Sequence, residues 1–510
     1  MRAIYILLSS VAVPAAASII SLALSRRISP RAHTLISSLS LTYSAIAILL
    51  ASILGIPYLE IPIVLGPPIG SIGFIIDQFN LPVIIGVLLV SIFVAIYSKP
   101  YMEHRFRELG GDSWGIYYLN YTLFAASMLG VSLSTNIVEF YLFLEISLIT
   151  SFILIALYGY GDRIRIAFLY FIWTHAGAFL FLIGSFIYGL SAGNFDYIAI
   201  TKDHLYPVGS SATIADQSLR SISFALILIG LLIKLPAFGF HIWLPYAHAE
   251  APTPVSALLS PNLIGLAGLG IYRILVILYP ALMQTYQWPL IAWALITIIY
   301  GGILALYQED FKRLLAYSSI SQMGYMLLGL ATMTPSGVAG ALLHYLTHAV
   351  GKASLFMAAG NIIVGAEGLR NIYKMGGFAS KMPYTAISSL LGFLTISGLP
   401  PTIGIISKTL VLMGLADLVF RGGSMSLGSI LMVITASIAG FGLTIAYSFI
   451  TMKRIFFGEP GEEEVSEVSL GAVASITATA VTSVAILVIA SLIVNPLSSA
   501  VTSIIPILLR

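Results

Sequence analysis

Long apolar runs, separated by short polar or basic stretches, dominate this chain. Crossing a bilayer as a helix takes about 20 apolar residues. Fourteen runs meet that length, near 3–24, 33–55, 79–98, 114–134, 136–160, 164–190, 219–240, 251–279, 288–307, 312–332, 336–364, 384–414, 426–452 and 468–494. The pattern predicts an all-α polytopic membrane protein. Two connectors are longer than the rest. Gly55 to Ile76 is rich in Pro and Gly and reads as an external loop or hairpin; Asn194 to Asp216 is a second polar loop on the same side. Met1-Arg2 and the Pro14-Ala-Ala-Ala-Ser18 stretch imitate a secretory signal, but the apolar run continues to Leu24 and predicts a retained first helix.

Charge orients the spans. Odd-numbered loops carry fifteen basic residues, among them Arg26, Arg27, Arg105, Lys312, Arg313 and Lys453, against five on the opposite side and the termini. This bias predicts cytoplasmic odd loops and external termini. The acidic run Glu459 to Glu467 falls in the last of these loops and reads as a solvated connector, with a docking surface as the rival reading.

Composition narrows the classes. The chain is 58% hydrophobic and 9% charged, with mean hydropathy +0.99, whereas a soluble domain carries about a quarter charged residues. A net charge of +3 without a basic tract predicts a partnership with the lipid bilayer and none with nucleic acid. Cysteine is absent, which excludes disulfides, Cys-ligated iron–sulfur clusters and thiol chemistry. The chain is therefore expected to hold no cofactor and no metal of its own.

The candidate chemistry lies inside the spans. Lys234 ends an apolar run from Ser221, and Pro236, Pro245, Pro252 and Pro254 then interrupt any continuous helix. A charge in hydrocarbon is costly, and irregular backbone at membrane depth must line protein or water. Together they mark an ion-handling site. Glu145, deep in span five with no basic neighbour on its own helix, takes Lys234 as its natural partner; a static packing pair is the rival role. His344, His348 and Lys352 recur every four residues, so they share one face of span eleven over about 12 Å, as a proton relay would need. Lys408 follows the Pro400-Pro401 break in span twelve and parallels Lys234. Glu139 reads as structural, and His175 as a hydrogen-bonded core residue. His241 and His248, flanking Pro245, suit either a path lining or a capping role. The two proline breaks with their lysines, five spans apart, suggest an inverted internal repeat.

These residues resemble a known family. Lys234-Leu-Pro followed by His241-Ile-Trp-Leu-Pro-Tyr-Ala-His-Ala-Glu-Ala-Pro-Thr-Pro-Val-Ser-Ala257 looks like the signature of antiporter-like subunits. Such subunits occur in respiratory complex I, Mrp-type sodium/proton antiporters, membrane-bound hydrogenases and related archaeal complexes. Asn136 with Glu145, the stretch Asp310-Phe-Lys-Arg through Tyr325, and His344, His348 and Lys352 match further motifs in order, over roughly 114–457. The resemblance implies fourteen helices with two inverted five-helix repeats: helices 1–3 in 1–113, the repeats in 114–280 and 281–457, and a last helix and tail in 458–510. It implies an ion pair at Glu145 and Lys234, a central relay at His344, His348 and Lys352, and a terminal site at Lys408. One position departs. Many members carry a lysine in span eight where this chain has Gly265, and some carry a histidine where it has Ser260.

The implied function is a proton- or sodium-translocating subunit of a multi-subunit membrane redox complex of the NADH/quinone oxidoreductase or hydrogenase kind. Partner membrane subunits would carry the redox centres. The alternative is a subunit of an Mrp-type Na⁺/H⁺ antiporter without electron transfer. A lipid-modifying enzyme using the histidines is a remote third reading.

Overall fold

The structure, a computed structural model, describes residues 5–200, 205–207, 216–421, 426–459 and 465–509. The chain begins with α1 (Ile6–Ala23) and α2 (Pro30–Leu54), the latter capped by Ser29 with Pro30 at its first position. The Gly55 to Ile76 segment is a hairpin: β1 (Tyr58–Gly66) pairs antiparallel with β2 (Gly70–Ile76). The Glu60 carboxylate accepts from the Leu8 amide at 3.0 Å, tying the hairpin to the start of α1. Next come α3 (Leu81–Leu109), α4 (Trp114–Leu133), α5 (Ile137–Tyr158) and α6 (Arg163–Ala192). In the second long connector, β3 (Ile198–Ile200) pairs with β4 (Leu205–Pro207); 201–204 and 208–215 lie outside the described residues.

The first broken region follows. α7 (Gln217–Lys234) ends on the lysine, and α8 (Trp243–Glu250) and α9 (Thr253–Leu258) resume after it. A π-helical turn at Leu259–Leu263 leads into α10 (Ile264–Gly270), and a second covers Ile271–Val276. The backbone freed at the break finds indole partners. Trp243 donates to the Ile233 carbonyl at 3.0 Å, Trp173 to Phe240 and Trp293 to Phe238 at 2.9 Å each. The irregular segment is thus satisfied by protein, as the interior of a membrane demands.

After α11 (Pro280–Thr285) come α12 (Gln287–Leu306), α13 (Phe311–Ala331) and the 31-residue α14 (Pro335–Gly365). The second break separates α15 (Pro383–Ser397) from α16 (Gly404–Arg421). Gly398 takes a φ of 74° there, and a side chain would meet the Lys408 stem at 2.8 Å. Glycine therefore serves both the turn and the passage of Lys408. The chain closes with α17 (Leu427–Phe456), α18 (Leu470–Val488) and α19 (Ser491–Leu508).

Among the described residues, thirteen helices are long and apolar enough to cross a membrane. Twelve coincide with expected spans. Spans eleven and twelve are not among them: α14 is diluted by its row of polar side chains, and span twelve divides into the 15-residue α15 and the 18-residue α16, which carries three charged residues, Lys408, Asp417 and Arg421. The thirteenth, α19, was not expected; Pro496 and Pro506 lie inside it, and it packs on α14. The segment Thr253–Val276 is wholly buried, and α13 and α14 nearly so, while α1, α6 and α17 turn apolar side chains outward.

Three charges sit elsewhere than expected. Arg105, read as a loop cation, is buried, its Nε donating to the Tyr158 carbonyl at 3.0 Å. Lys312 is fully buried in the first turn of α13, its ammonium donating to the carbonyls of Ala249 (3.4 Å) and Ala251 beyond α8. Positive charge on carbonyls at a helix C-terminus is favourable there. Within the acidic run, of which 460–464 lie outside the described residues, Glu467 caps the start of α15, accepting from the Thr385 hydroxyl at 2.7 Å.

Arg273, in the second π turn, forms a buried ion pair with Asp77 at 2.6 Å, joining span eight to the start of α3. Removing one partner of such a pair strands the other charge. Asp77→Ala is expected to cost roughly 3–5 kcal/mol and to lower the thermal midpoint of detergent-solubilised protein. Asp77→Leu with Arg273→Met should recover most of the loss.

Candidate functional site

The ionisable side chains form two clusters. The first lies where α5, α6 and α7 meet. Lys234 is 4% exposed, and its ammonium has no hydrogen-bond partner among the described residues. Glu145 is the group whose charge acts on it. The expected contact pair is not formed, however: the Glu145 carboxylate binds His175 Nδ1 at 2.8 Å. His175 corrects the sequence reading as well. It is no core residue, being 46% exposed on the outer face of α6 and stacked on Phe171. The rotation of α6 relative to α5 brings it to the carboxylate, and spacing within one helix does not reveal that rotation. Glu139 behaves as the sequence suggests. One of its oxygens accepts from the amides of Thr135 (3.1 Å) and Gly73 (3.4 Å), fastening β2 to the start of α5.

The second cluster lies between α8, α13, α14 and α16. His344, His348 and Lys352 are at most 1% exposed, on one face of α14 turned into the bundle. The two imidazole centroids are 6.5 Å apart. His344 Nδ1 lies 3.3 Å from the Ser407 hydroxyl, next in sequence to Lys408. The Lys408 ammonium sits 3.9 Å above the Tyr325 ring with no hydrogen-bond partner among the described residues. The Lys352 ammonium donates to the Leu315 carbonyl at 2.8 Å and to the Ser318 hydroxyl.

His248 joins this cluster. It is fully buried at the end of α8, neither ring nitrogen has a hydrogen-bond partner among the described residues, and its ring lies 4.9 Å from Phe356 of α14. The charges of Lys312 and Lys352 both act on it, and it acts in turn on His348. Neither a capping nor an interface role fits that placement. Lys352 also senses Lys408, as does His344. The electrostatic neighbours therefore run from His248 through His348 and Lys352 to His344 and Lys408. Lys312 adds a buried ammonium at the α8 end. Its position after Asp310-Phe at a span boundary imitates a surface cation; its apolar neighbours Leu314 and Leu315 are the signal that it faces inward. His241 is nearly buried and packs edge-on to Tyr300 at 4.9 Å, apart from this cluster.

Between the clusters lie α9 and the first π turn. Ser260 and Ser319 share a hydrogen bond at 2.7 Å, Ser256 donates to the His248 carbonyl at 3.3 Å, and the buried Asn262 side-chain amide has no hydrogen-bond partner among the described residues. Single-turn π segments inside α-helices are frequent at functional sites. At Gly265 a Cβ would lie 2.6 Å from the Tyr345 ring, whose hydroxyl donates to the Asn262 carbonyl at 2.9 Å. The aromatic ring occupies the space into which a side chain at 265 would grow. Gly265→Ala is expected to destabilise by about 1–3 kcal/mol through overpacking, measured as a lowered thermal midpoint. Adding Tyr345→Leu should restore it.

Chemically, this arrangement has the groups to hold and pass protons. Lysines and imidazoles both bind and release a proton, and low dielectric makes each charge strongly felt by its neighbour.

The transmembrane family model described as NADH:quinone oxidoreductase/Mrp antiporter matches residues 134–438. NADH-quinone oxidoreductase subunit M of Rickettsia bellii is 33% identical over 68% of this chain and 67% of its own. F420H2 dehydrogenase subunit M of Methanosarcina mazei is 32% identical over 77% and 75%. In fold, the chain is similar to one in respiratory complex I from Thermus thermophilus, with a TM-score of 0.81 at 22% identity over 98% of this chain and 99% of that one. It is equally similar to one in the Mrp complex from Dietzia sp., at 0.81 and 21% identity over 98% and 97%. The family match spans both clusters and the π turns between them, and the chain belongs to the NADH:quinone oxidoreductase/Mrp antiporter transmembrane family.

Proposed function

We propose that this chain is a proton-translocating, antiporter-like subunit of a multi-subunit membrane redox complex, and that neighbouring subunits carry the redox centres. The observation behind this reading is the buried series His248, His348, Lys352, His344 and Lys408, with Lys234 and Glu145 at its near end. Five ionisable groups shielded from solvent on three helices cost more than a static scaffold requires. Electron transfer in a partner would perturb the Glu145–His175–Lys234 group. The Lys234 proton would then move along α8 to His248 and the α14 row, and leave near Lys408. Ser260, Ser319 and Asn262 give that gap polar footing where the family's lysine is replaced by Gly265.

The basic bias supports cytoplasmic odd loops and an external N-terminus in a plasma membrane. The two breaks, after Lys234 and before Lys408, support an inverted repeat. Relatives at 32–33% identity are subunits of an NADH-quinone oxidoreductase and an F420H2 dehydrogenase, whereas the likeness to the Mrp complex is one of fold; this favours redox coupling over simple Na⁺/H⁺ exchange.

Purification of the intact complex from its own membrane tests the reading. Redox subunits should co-purify, and in sealed vesicles electron donor should drive a pH gradient that persists without Na⁺. Exchange of Na⁺ for H⁺ with no redox subunit attached would overturn it.

A further inference from the structure

Resting on the proton-translocation reading, one feature outside both clusters completes the path at its basic end. Buried tyrosines are frequent along α3 and α4, and most end on a group that cannot pass a proton onward. Tyr97 donates to the Met357 carbonyl at 3.0 Å and Tyr121 to the Ser91 carbonyl at 2.7 Å, while Tyr118 and Tyr117 meet the Thr34 and Ser98 hydroxyls, which themselves end on the Pro30 and Val94 carbonyls. Tyr101 differs. Its hydroxyl lies 2.7 Å from the hydroxyl of Tyr160 on one side and accepts from the Thr253 hydroxyl at 3.1 Å on the other. Three hydroxyls therefore run in series from half-buried Tyr160, in the exposed turn after α5, to fully buried Thr253 at the start of α9. Tyr160 is held by the Arg105 guanidinium, 3.9 Å above its ring, and by its own amide, which donates to Glu250 at 2.8 Å. At the inner end, Lys312 is docked on the carbonyls of Ala249 and Ala251, the latter two residues before Thr253. Lys312 and His248 are electrostatic neighbours.

We propose that Tyr160, Tyr101 and Thr253 form the wire by which protons reach Lys312, and through it His248, from the basic end of the bundle. A solvent proton binds the Tyr160 oxygen, whose own hydroxyl proton passes to the Tyr101 oxygen. The Tyr101 proton passes to Thr253, and the Thr253 proton, through one bridging water, to the Lys312 amine left neutral once Lys312 has handed its own proton to His248. Each oxygen gains one proton and loses one, so the net change is one proton added to Lys312, and rotation of the three hydroxyls resets the wire. The hydrogen-bonded contacts here, 2.7 and 3.1 Å, are within the range such transfers need.

Tyr101→Phe tests this with little disturbance, since it removes one oxygen from the middle of the wire and keeps the ring. Tyr97→Phe is the matched control: equally buried, one turn away, and bonded only to a carbonyl. Both variants are made in the whole complex and reconstituted into sealed vesicles. Proton uptake per electron and its slowing in D₂O are then measured. Tyr101→Phe should lower uptake several-fold with electron transfer to an artificial acceptor intact, while Tyr97→Phe matches the unmodified complex. Equal uptake in all three would overturn the wire. An equal loss in both variants would overturn it too, by tracing the effect to lost packing. Because Lys234 is untouched, failure here is separable from failure of the translocation reading, which substitution of Lys234 tests directly.

Discussion

Lys234→Met is expected to remove this chain's share of electron-driven proton movement while the complex still reduces artificial acceptors. The same change should leave the protein as stable or more so. The Lys234 ammonium is 4% exposed and without a hydrogen-bond partner among the described residues, and Met fills nearly the same volume. Exchanging a buried charge for an apolar side chain is often neutral or stabilising by roughly 1–4 kcal/mol. A thermal midpoint that holds or rises while protons per electron fall is therefore the signature of a residue kept for transport. A large drop in midpoint would instead mark Lys234 as a structural anchor. Glu145→Gln should act more weakly, because His175 shares the carboxylate.

The second large effect is expected at His248. His248→Leu leaves the Lys312 and Lys352 docking carbonyls in place, yet removes a titratable group on which both ammoniums act. Proton movement should fall nearly as far as with Lys234→Met, with assembly unchanged. His241→Leu, whose ring packs on Phe238 and Tyr300 away from this cluster, should leave it close to normal. If the two variants behave alike, the route does not pass through the end of α8.

Much of this site was legible in the sequence, for a physical reason. A lysine or histidine in an apolar run is costly, so Lys234, His344, His348, Lys352 and Lys408 stand out against their surroundings, and the four-residue spacing on α14 fixes a shared face. The proline breaks were equally plain. What the sequence withheld depends on how helices rotate against one another. The partner of Glu145 is His175 because α6 turns that ring toward α5. Lys312 and Arg105 passed for loop cations because a span boundary is where surface charge is expected. The filling of the Gly265 space by Tyr345 joins residues eighty apart, and nothing local announces it. α19 escaped because Pro496 and Pro506 argue against a helix that packing on α14 nonetheless supports.

Lys352 stands at the middle of the series, facing His248, His348 and Lys408, and the number of protons moved per electron by the reconstituted complex carrying Lys352→Met measures the central claim most directly. The ratio should fall to that of Lys234→Met, with electron transfer to an artificial acceptor preserved. A fully assembled Lys352→Met complex that moves as many protons per electron as the unmodified one would contradict it.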